Sequence, residues 1–466
     1  MRLKIYIVLL LFCIIGVKAQ STALPPNLIE LSNTKELTRV GNKVAFFEDK
    51  SAKLSFEEVK KSAAFKVTGK NTPNFNITKS AIWGRVKLVT GIDADWYFNL
   101  DPASFNKITF YQKDNAGVWQ ESIQGNAYPT ELRPMPVNHY LLKVNITPGD
   151  TAVIYFRIQD YYPQSYDLSV GTAEAFMVQT HEFDLYSGIC YGIMIMMLIY
   201  NFYLYLTQKA RIYIYYVLYI FCSAIFSAYL AGYALHFPKP LLWLIQLAPI
   251  IPPAGFGVFG LLFTIQLFKE TLSAKEKKVL YIFMALAIID VVLSTTPLVY
   301  ESEMVIQPLG LVLGILCFWV AFIALRKKHA SATFYLFGFG AYMSSLFILI
   351  TSAQGGLDFN NFTWRALVSG SAIESIMLSF ALGDKFNVIL KEKAQAQADA
   401  LLQATENARL IAEQNTVLEQ KVKERTAELE EKNKEITDSI EYASRIQKAL
   451  ITSERYIDRQ LNKLQK

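Results

Sequence analysis

Ala366-Leu367-Val368-Ser369-Gly370-Ser371-Ala372-Ile373-Glu374-Ser375-Ile376-Met377-Leu378-Ser379-Phe380-Ala381-Leu382-Gly383 is apolar apart from small serines and one carboxylate, Glu374. The 83 residues behind it, Asp384–Lys466, contain neither glycine nor proline. Glycine ends helices through its backbone entropy, and proline through its missing N–H. The reading is one helix that crosses a bilayer and continues into the cytoplasm. At 1.5 Å per residue the run is a rod on the order of 120 Å.

Six further apolar stretches precede that one. They are Leu185–Thr207, Ile212–Leu235, Leu241–Phe268, Val279–Val299, Met304–Leu325 and Thr333–Thr351, with Ala366–Gly383 the seventh. Each is near the roughly 20 residues that hydrocarbon requires, and short connections make them one seven-helix bundle, residues 185–383. Alternate loops carry Lys209, Arg211, Lys269, Lys275, Lys277, Lys278, Arg326, Lys327 and Lys328, followed by Lys385, Lys391 and Lys393. The opposite short loops carry only Lys239 and Arg365. Positive charge stays in the cytoplasm, so the N-terminal half lies outside and the rod inside. Asp290 and Glu374 are ionisable groups within the spans. A carboxylate in lipid is costly, so each is expected to face the interior with a partner, and Ser369, Ser371 and Ser375 are the candidates beside Glu374. Pro252, Pro253 and Pro308 mark kinks in the third and fifth helices.

The first 19 residues read as a signal peptide. Arg2 and Lys4 precede the apolar Ile5–Val17, and Val17-Lys18-Ala19 precedes a cut at Gln20. Residues 20–180 read as an exported β domain. Ala81–Leu88, Lys107–Tyr111 and Thr151–Ile158 alternate apolar and polar side chains. Turn clusters at Asp93–Asp95, Lys113–Gly117 and Pro148–Asp150 separate them. Short strands at this spacing indicate an antiparallel, jelly-roll-like sandwich of about eight strands. The region from Gln20 to Glu182 is neutral, with 17 Lys/Arg against 17 Asp/Glu, and has no cysteine. It folds without disulfides, and no nucleic-acid face is implied. Aromatics in such a domain read first as sandwich core and loop packing; where exposed beside arginines, they could grip a sugar ring or a small acid. The candidates are Trp83, Arg85, Trp96, Arg133 and Tyr162, with Trp83 and Arg85 on one strand face. His139 and His181 stand alone and read as structural. Neither a metal site nor a cofactor is expected.

In the rod an apolar seam runs through Leu390, Ala394, Leu401, Ala404, Ala408, Ile411, Asn415, Leu418, Val422 and Leu429, then Asn433, Ile436, Ile440, Ala443 and Leu450. Steps of three and four predict a coiled coil, and an Asn at a core position favours a defined parallel dimer. Arg425, Leu429 and Asn433 make two steps of four, a stutter that locally unwinds a supercoil. With no histidine and no glycine beyond Gly383, the rod holds neither a phosphoacceptor histidine nor a glycine-rich nucleotide loop.

The order of parts resembles the bacterial seven-transmembrane receptors with diverse intracellular signalling modules, and the β domain resembles their second type of extracellular domain. The residues carrying this are Val44–Asp49, Ile82–Leu88, Tyr191–Met194, Leu198–Asn201, Tyr213–Tyr216 and Glu374–Leu382. The resemblance implies a receptor in the bacterial inner membrane that senses a small extracytoplasmic ligand such as a carbohydrate and passes the change to a cytoplasmic partner. Leu418–Leu429 resembles the linkers before kinase or phosphatase outputs. Ile436–Leu450 resembles the segment before a SpoIIE-like serine/threonine phosphatase domain, but only 16 residues follow it. No catalytic domain is therefore expected in these 466 residues. One alternative is the sensory half of a longer phosphatase receptor; another is a transporter or channel, against which stands the lack of matched discontinuous helices.

Overall fold

The computed structural model describes residues 28–465, apart from 103, 129–132, 136, 162, 354–355, 358–360 and 451–453. The signal-peptide segment lies outside the described residues. Eleven strands form two sheets, with a short helix set against one of them. In chain order they are β1 (Leu28–Leu31), β2 (Thr38–Arg39), β3 (Ala45–Asp49), α1 (Phe56–Lys60), β4 (Lys66–Val67), β5 (Ala81–Thr90), β6 (Trp96–Asp101), β7 (Ile108–Lys113), β8 (Trp119–Gln124), β9 (Tyr140–Lys143), β10 (Thr151–Ile158) and β11 (Asp167–Thr172). The large sheet has the order β4-β3-β5-β10-β7-β8, and the small one β2-β11-β6-β9. All pairs are antiparallel except β1, which lies parallel to β5 through Leu28↔Lys87. The expectation of a purely antiparallel sandwich is corrected there.

Alternation explains the layers. Ile82, Val86 and Leu88 of β5 and Phe110, Ile154, Phe156 and Ile158 of its neighbours meet Trp96, Phe98, Leu100, Leu168 and Val170 of the small sheet in one core. The other face of the large sheet is also covered. Ala45, Trp83 and Tyr155 pack there with Val59, Phe65 and Phe56 from α1 and its flanks. A capping box, Ser55 with Glu58, starts α1. Gly84 sits where a Cβ would come 2.0 Å from the Phe156 ring, so the close approach of β5 and β10 requires glycine.

Helices α2 (Ala173–Gln208), α3 (Arg211–Leu230), α4 (Lys239–Leu247), α5 (Ile251–Leu267), α6 (Ala274–Ser294), α7 (Val299–Arg326), α8 (Ala332–Ala353), α9 (Asn361–Leu450) and α10 (Glu454–Leu464) follow. Among the described residues, five are long and apolar enough to cross a membrane: α2, α3, α7, α8 and the Arg365–Asn387 part of α9. The third apolar stretch is not one span. It is α4 and α5, bent by 88°. The break falls at Ala248–Ile250, and Pro252 and Pro253 occupy the first turn of α5, where a missing N–H costs nothing. The second stretch also ends early, because Gly232 takes φ +83° just beyond α3. Helix α6 is opened by a Ser273–Glu276 capping box and carries Lys275, Lys277 and Lys278 in its first turns, which leaves it too charged to count among the five.

The two compact units of the chain divide after Lys385. The second, Phe386–Lys466, is helical, and its apolar side chains are solvent-facing: Ile411, Leu418, Val422, Leu429 and Ile436 are each more than half exposed. Asn415 is exposed as well.

Candidate functional site at the junction of sheets and helices

The sequence candidates for ligand contact do not form one site. Trp83 is 1% exposed and stacks on Tyr111 at 5.8 Å beneath α1. Arg85 shares that face, as strand alternation requires, with its guanidinium 4.6 Å from the Phe65 ring centre. Trp96 is 0% exposed and belongs to the inter-sheet core. Arg133 is buried, donating from Nη1 to the Val137 carbonyl at 3.1 Å and lying 4.9 Å from the Tyr140 ring centre. Tyr162 lies outside the described residues. Both tryptophans therefore take the core reading and not the ligand-contact one. A large sheet covered on two faces buries aromatics of both parities.

The aromatic surface that stays half-exposed is a different one. Phe56 stacks on Tyr111 at 4.3 Å and meets Trp119 at 5.0 Å, while the ammonium groups of Lys60 and Lys113 stand 5.8 and 5.7 Å from the Trp119 ring. Trp119 and Phe56 were legible as the apolar positions of an alternating strand and a short amphipathic helix. Nothing in one sequence distinguished them from core.

The richest polar geometry lies where the sandwich meets the helices. Strand β11 passes into α2 without a loop, and Thr172 caps the helix by accepting from Ala175 N–H at 3.3 Å. Lys79 Nζ pairs with Glu301 of α7 at 2.7 Å, and Tyr161 meets Tyr300 edge-on at 6.4 Å. Tyr229 Oη of α3 donates to the Ser104 carbonyl at 3.3 Å, and Gln246 Nε2 of α4 donates to the Asn126 carbonyl at 2.8 Å. Asp184 of α2 accepts from Asn138 Nδ2 at 3.3 Å and from Tyr233 Oη at 2.6 Å. Sandwich loops thus hold the near ends of four helices.

His139, expected to stand alone, does not. Its Nδ1 lies 3.0 and 3.1 Å from the two carboxylate oxygens of Asp101. Burial opposes its charge, but Asp101, Asp184 and Asp167 outweigh that and raise its pKa above the ordinary value.

Inside the bundle, Glu374 is 1% exposed and accepts a 2.6 Å bond from Tyr219 Oη of α3. The serines named as its partners are otherwise engaged. Ser369, Ser371 and Ser375 donate to Arg365, Leu367 and Ser371 carbonyls one turn back. Tyr216 Oη donates to the Ser375 carbonyl, and Asn201 Nδ2 of α2 donates to Ser379 Oγ at 2.9 Å. Three helices, α2, α3 and α9, are therefore tied by one polar network. Asp290 is also 1% exposed, but neither carboxylate oxygen has a hydrogen-bond partner among the described residues. Its backbone carbonyl accepts from Ser302 Oγ at 3.2 Å. The expected partner of Asp290 is absent there.

Among the described residues no group of three His, Cys, Asp or Glu side chains is placed to hold a metal ion. Cys190, Cys222 and Cys317 are free thiols.

Two family models match the chain. The one described as 7TM diverse intracellular signalling matches residues 183–385, and the one described as 7TMR-DISM extracellular 2 matches residues 41–172. The comparison with curated proteins gave no match. The first range takes in the apolar helices, and the second takes in all but the first two strands of the sandwich. The chain belongs to the 7TMR-DISM family, as a multi-pass membrane protein of receptor-type signalling whose β-rich domain is the family's second extracellular type.

Proposed function

We propose that the chain is a transmembrane receptor whose sandwich senses a small ligand outside the cytoplasmic membrane and whose seven spans pass the change to a dimeric cytoplasmic coil. The count of seven takes the bent pair α4–α5 as one span and adds α6. The basic loops with Lys269, Lys277, Arg326 and Lys385 support a cytoplasmic side there and a sandwich outside. The observation that carries the reading is the hydrogen-bonded seat of four helix ends on sandwich loops, including the direct passage of β11 into α2. A ligand shifts an equilibrium by its differential affinity for two states. Loops that grip four helices give such a difference a path into the membrane.

The ligand surface in this reading is the half-exposed Phe56–Tyr111–Trp119 face, not the buried tryptophans. Flat rings flanked by lysines suit a sugar ring or a small acidic ligand. The apolar seam of Ile411, Leu418, Val422, Leu429 and Ile436 pairs with a second copy. In this reading a cytoplasmic partner or a phosphatase module supplies the output.

The test is the full-length protein in nanodiscs, titrated with a panel of neutral and acidic sugars while the sandwich unfolding temperature is followed. A ligand that raises it in the wild type and not in Trp119→Ala supports the reading. Equal shifts in both proteins remove this face as the binding surface.

A further inference from the structure

Asp101 and Asp167 are direct partners in the pairing of β6 with β11. Side chains of paired residues leave the sheet on the same face about 5 Å apart, and like charges placed so repel. Both aspartates are buried, so water screens them poorly. A third carboxylate, Asp184, arrives from α2 on the neighbouring residue Asn138. The compensating cations are few. Arg39 of β2 reaches Asp167 at 3.7 Å, and His139 faces both oxygens of Asp101. Asn99 Nδ2 adds a neutral bond to Asp101 at 2.8 Å, and Tyr233 Oη adds one to Asp184.

We propose that His139 is a proton-binding site that clasps the start of α2 to the sandwich, so that the pH of the compartment bathing the sandwich sets how firmly that helix is seated. With His139 charged, three carboxylates from β6, β11 and α2 face two cations. With it neutral, one of those two cations is lost, and the added repulsion falls on β11, which runs straight into α2. The site answers to protons whether or not the sandwich also binds an organic ligand.

The sign follows from linkage. The ordinary histidine value is about 6.5, and the folded chain holds His139 above it. The added stability is therefore complete below about pH 6.5 and is lost as pH rises through the raised value. The clasp is engaged in acid and released as pH rises through the raised His139 value.

The experiment uses full-length protein in nanodiscs, with a single reporter thiol at the buried Thr180 and the native cysteines replaced. Maleimide labelling of Thr180→Cys is timed from pH 5.5 to 9. Labelling should accelerate as pH rises from about 6.5 to the raised His139 value and level off above it, by about tenfold in all for each unit that value exceeds 6.5, after correction for thiolate fraction. His139→Gln keeps the hydrogen-bonding size without the charge and should flatten the profile. Asp101→Asn should move the transition down toward 6.5, and His236→Gln should leave it in place. A wild-type profile in His139→Gln, or a transition that follows His236, overturns the proposal.

Discussion

The sandwich and the helical unit Phe386–Lys466 spend their apolar residues in opposite ways. In the sandwich Trp83, Trp96, Phe98, Phe110 and Phe156 are almost wholly buried, on both faces of the large sheet. In the second unit every described side chain but Phe386 and Ser444 is exposed, leucines and isoleucines included. The first region is held by its own contacts. The second leaves its described apolar side chains open to solvent, and that is the seam the proposed pairing of copies would cover. One chain thus buries its apolar residues in one unit and exposes them in the other.

The comparison breaks most visibly at Trp96. Trp96→Ala should lower sandwich stability by about 3–5 kcal/mol, the range for emptying a buried aromatic site, read as a fall in the sandwich unfolding temperature. Next comes overpacking. Gly84→Ala drives a Cβ into a Phe156 ring already confined by Phe46, Phe98 and Tyr166, and about 1–3 kcal/mol should be lost. Inside the bundle, Tyr219→Phe leaves the Glu374 carboxyl without its 2.6 Å donor. That should cost about 1–3 kcal/mol in detergent unfolding, whereas Asp290→Asn removes no hydrogen bond and should cost little.

A smaller effect is expected at Asp49. Burial pushes its carboxyl up, but bonds from the Ser51 hydroxyl and the Leu54, Ser51 and Ala52 N–H groups prevail and hold its pKa below the usual value. Asp49→Asn should therefore cost about 1 kcal/mol above pH 4. The difference from the wild type should vanish as pH falls through the lowered value. Leu418→Ala should leave sandwich unfolding unchanged, yet it should reduce crosslinking of copies through Val422→Cys. An effect on the sandwich instead would show that the second unit is not independent of it.

Much of this was legible in the residues. The runs from Ala81, Lys107 and Thr151 became β5, β7 and β10 because period-two alternation is a direct record of a sheet with distinct faces. The apolar helices were legible from runs of roughly 20 apolar residues, and the long helix that reaches Leu450 from the absence of glycine and proline after Gly383. What the residues alone do not give depends on distant chain. Trp83 reads as core or as ligand contact until α1 is seen to cover it. Glu374 has serines within one turn, but helical serines satisfy carbonyls behind them, and its partner is 155 residues away. His139 looks solitary because Asp101 reaches it from another strand and Asp184 of α2 binds its neighbour Asn138. The 88° break at Ala248–Ile250 lies just before the prolines, since proline fits a first helical turn better than an interior one.

The central claim is that the sandwich biases the helices that lead to the coil, and a locked junction tests it without any ligand. Asn126→Cys with Gln246→Cys, at the 2.8 Å contact between a sandwich loop and α4, would fix that seat when oxidised. The measurement is crosslinking between copies at Val422→Cys in membranes, with the junction disulfide formed and then reduced in a background free of native cysteines. The account predicts that the extent of crosslinking changes when the junction is locked and returns on reduction. Identical crosslinking in both states would contradict it.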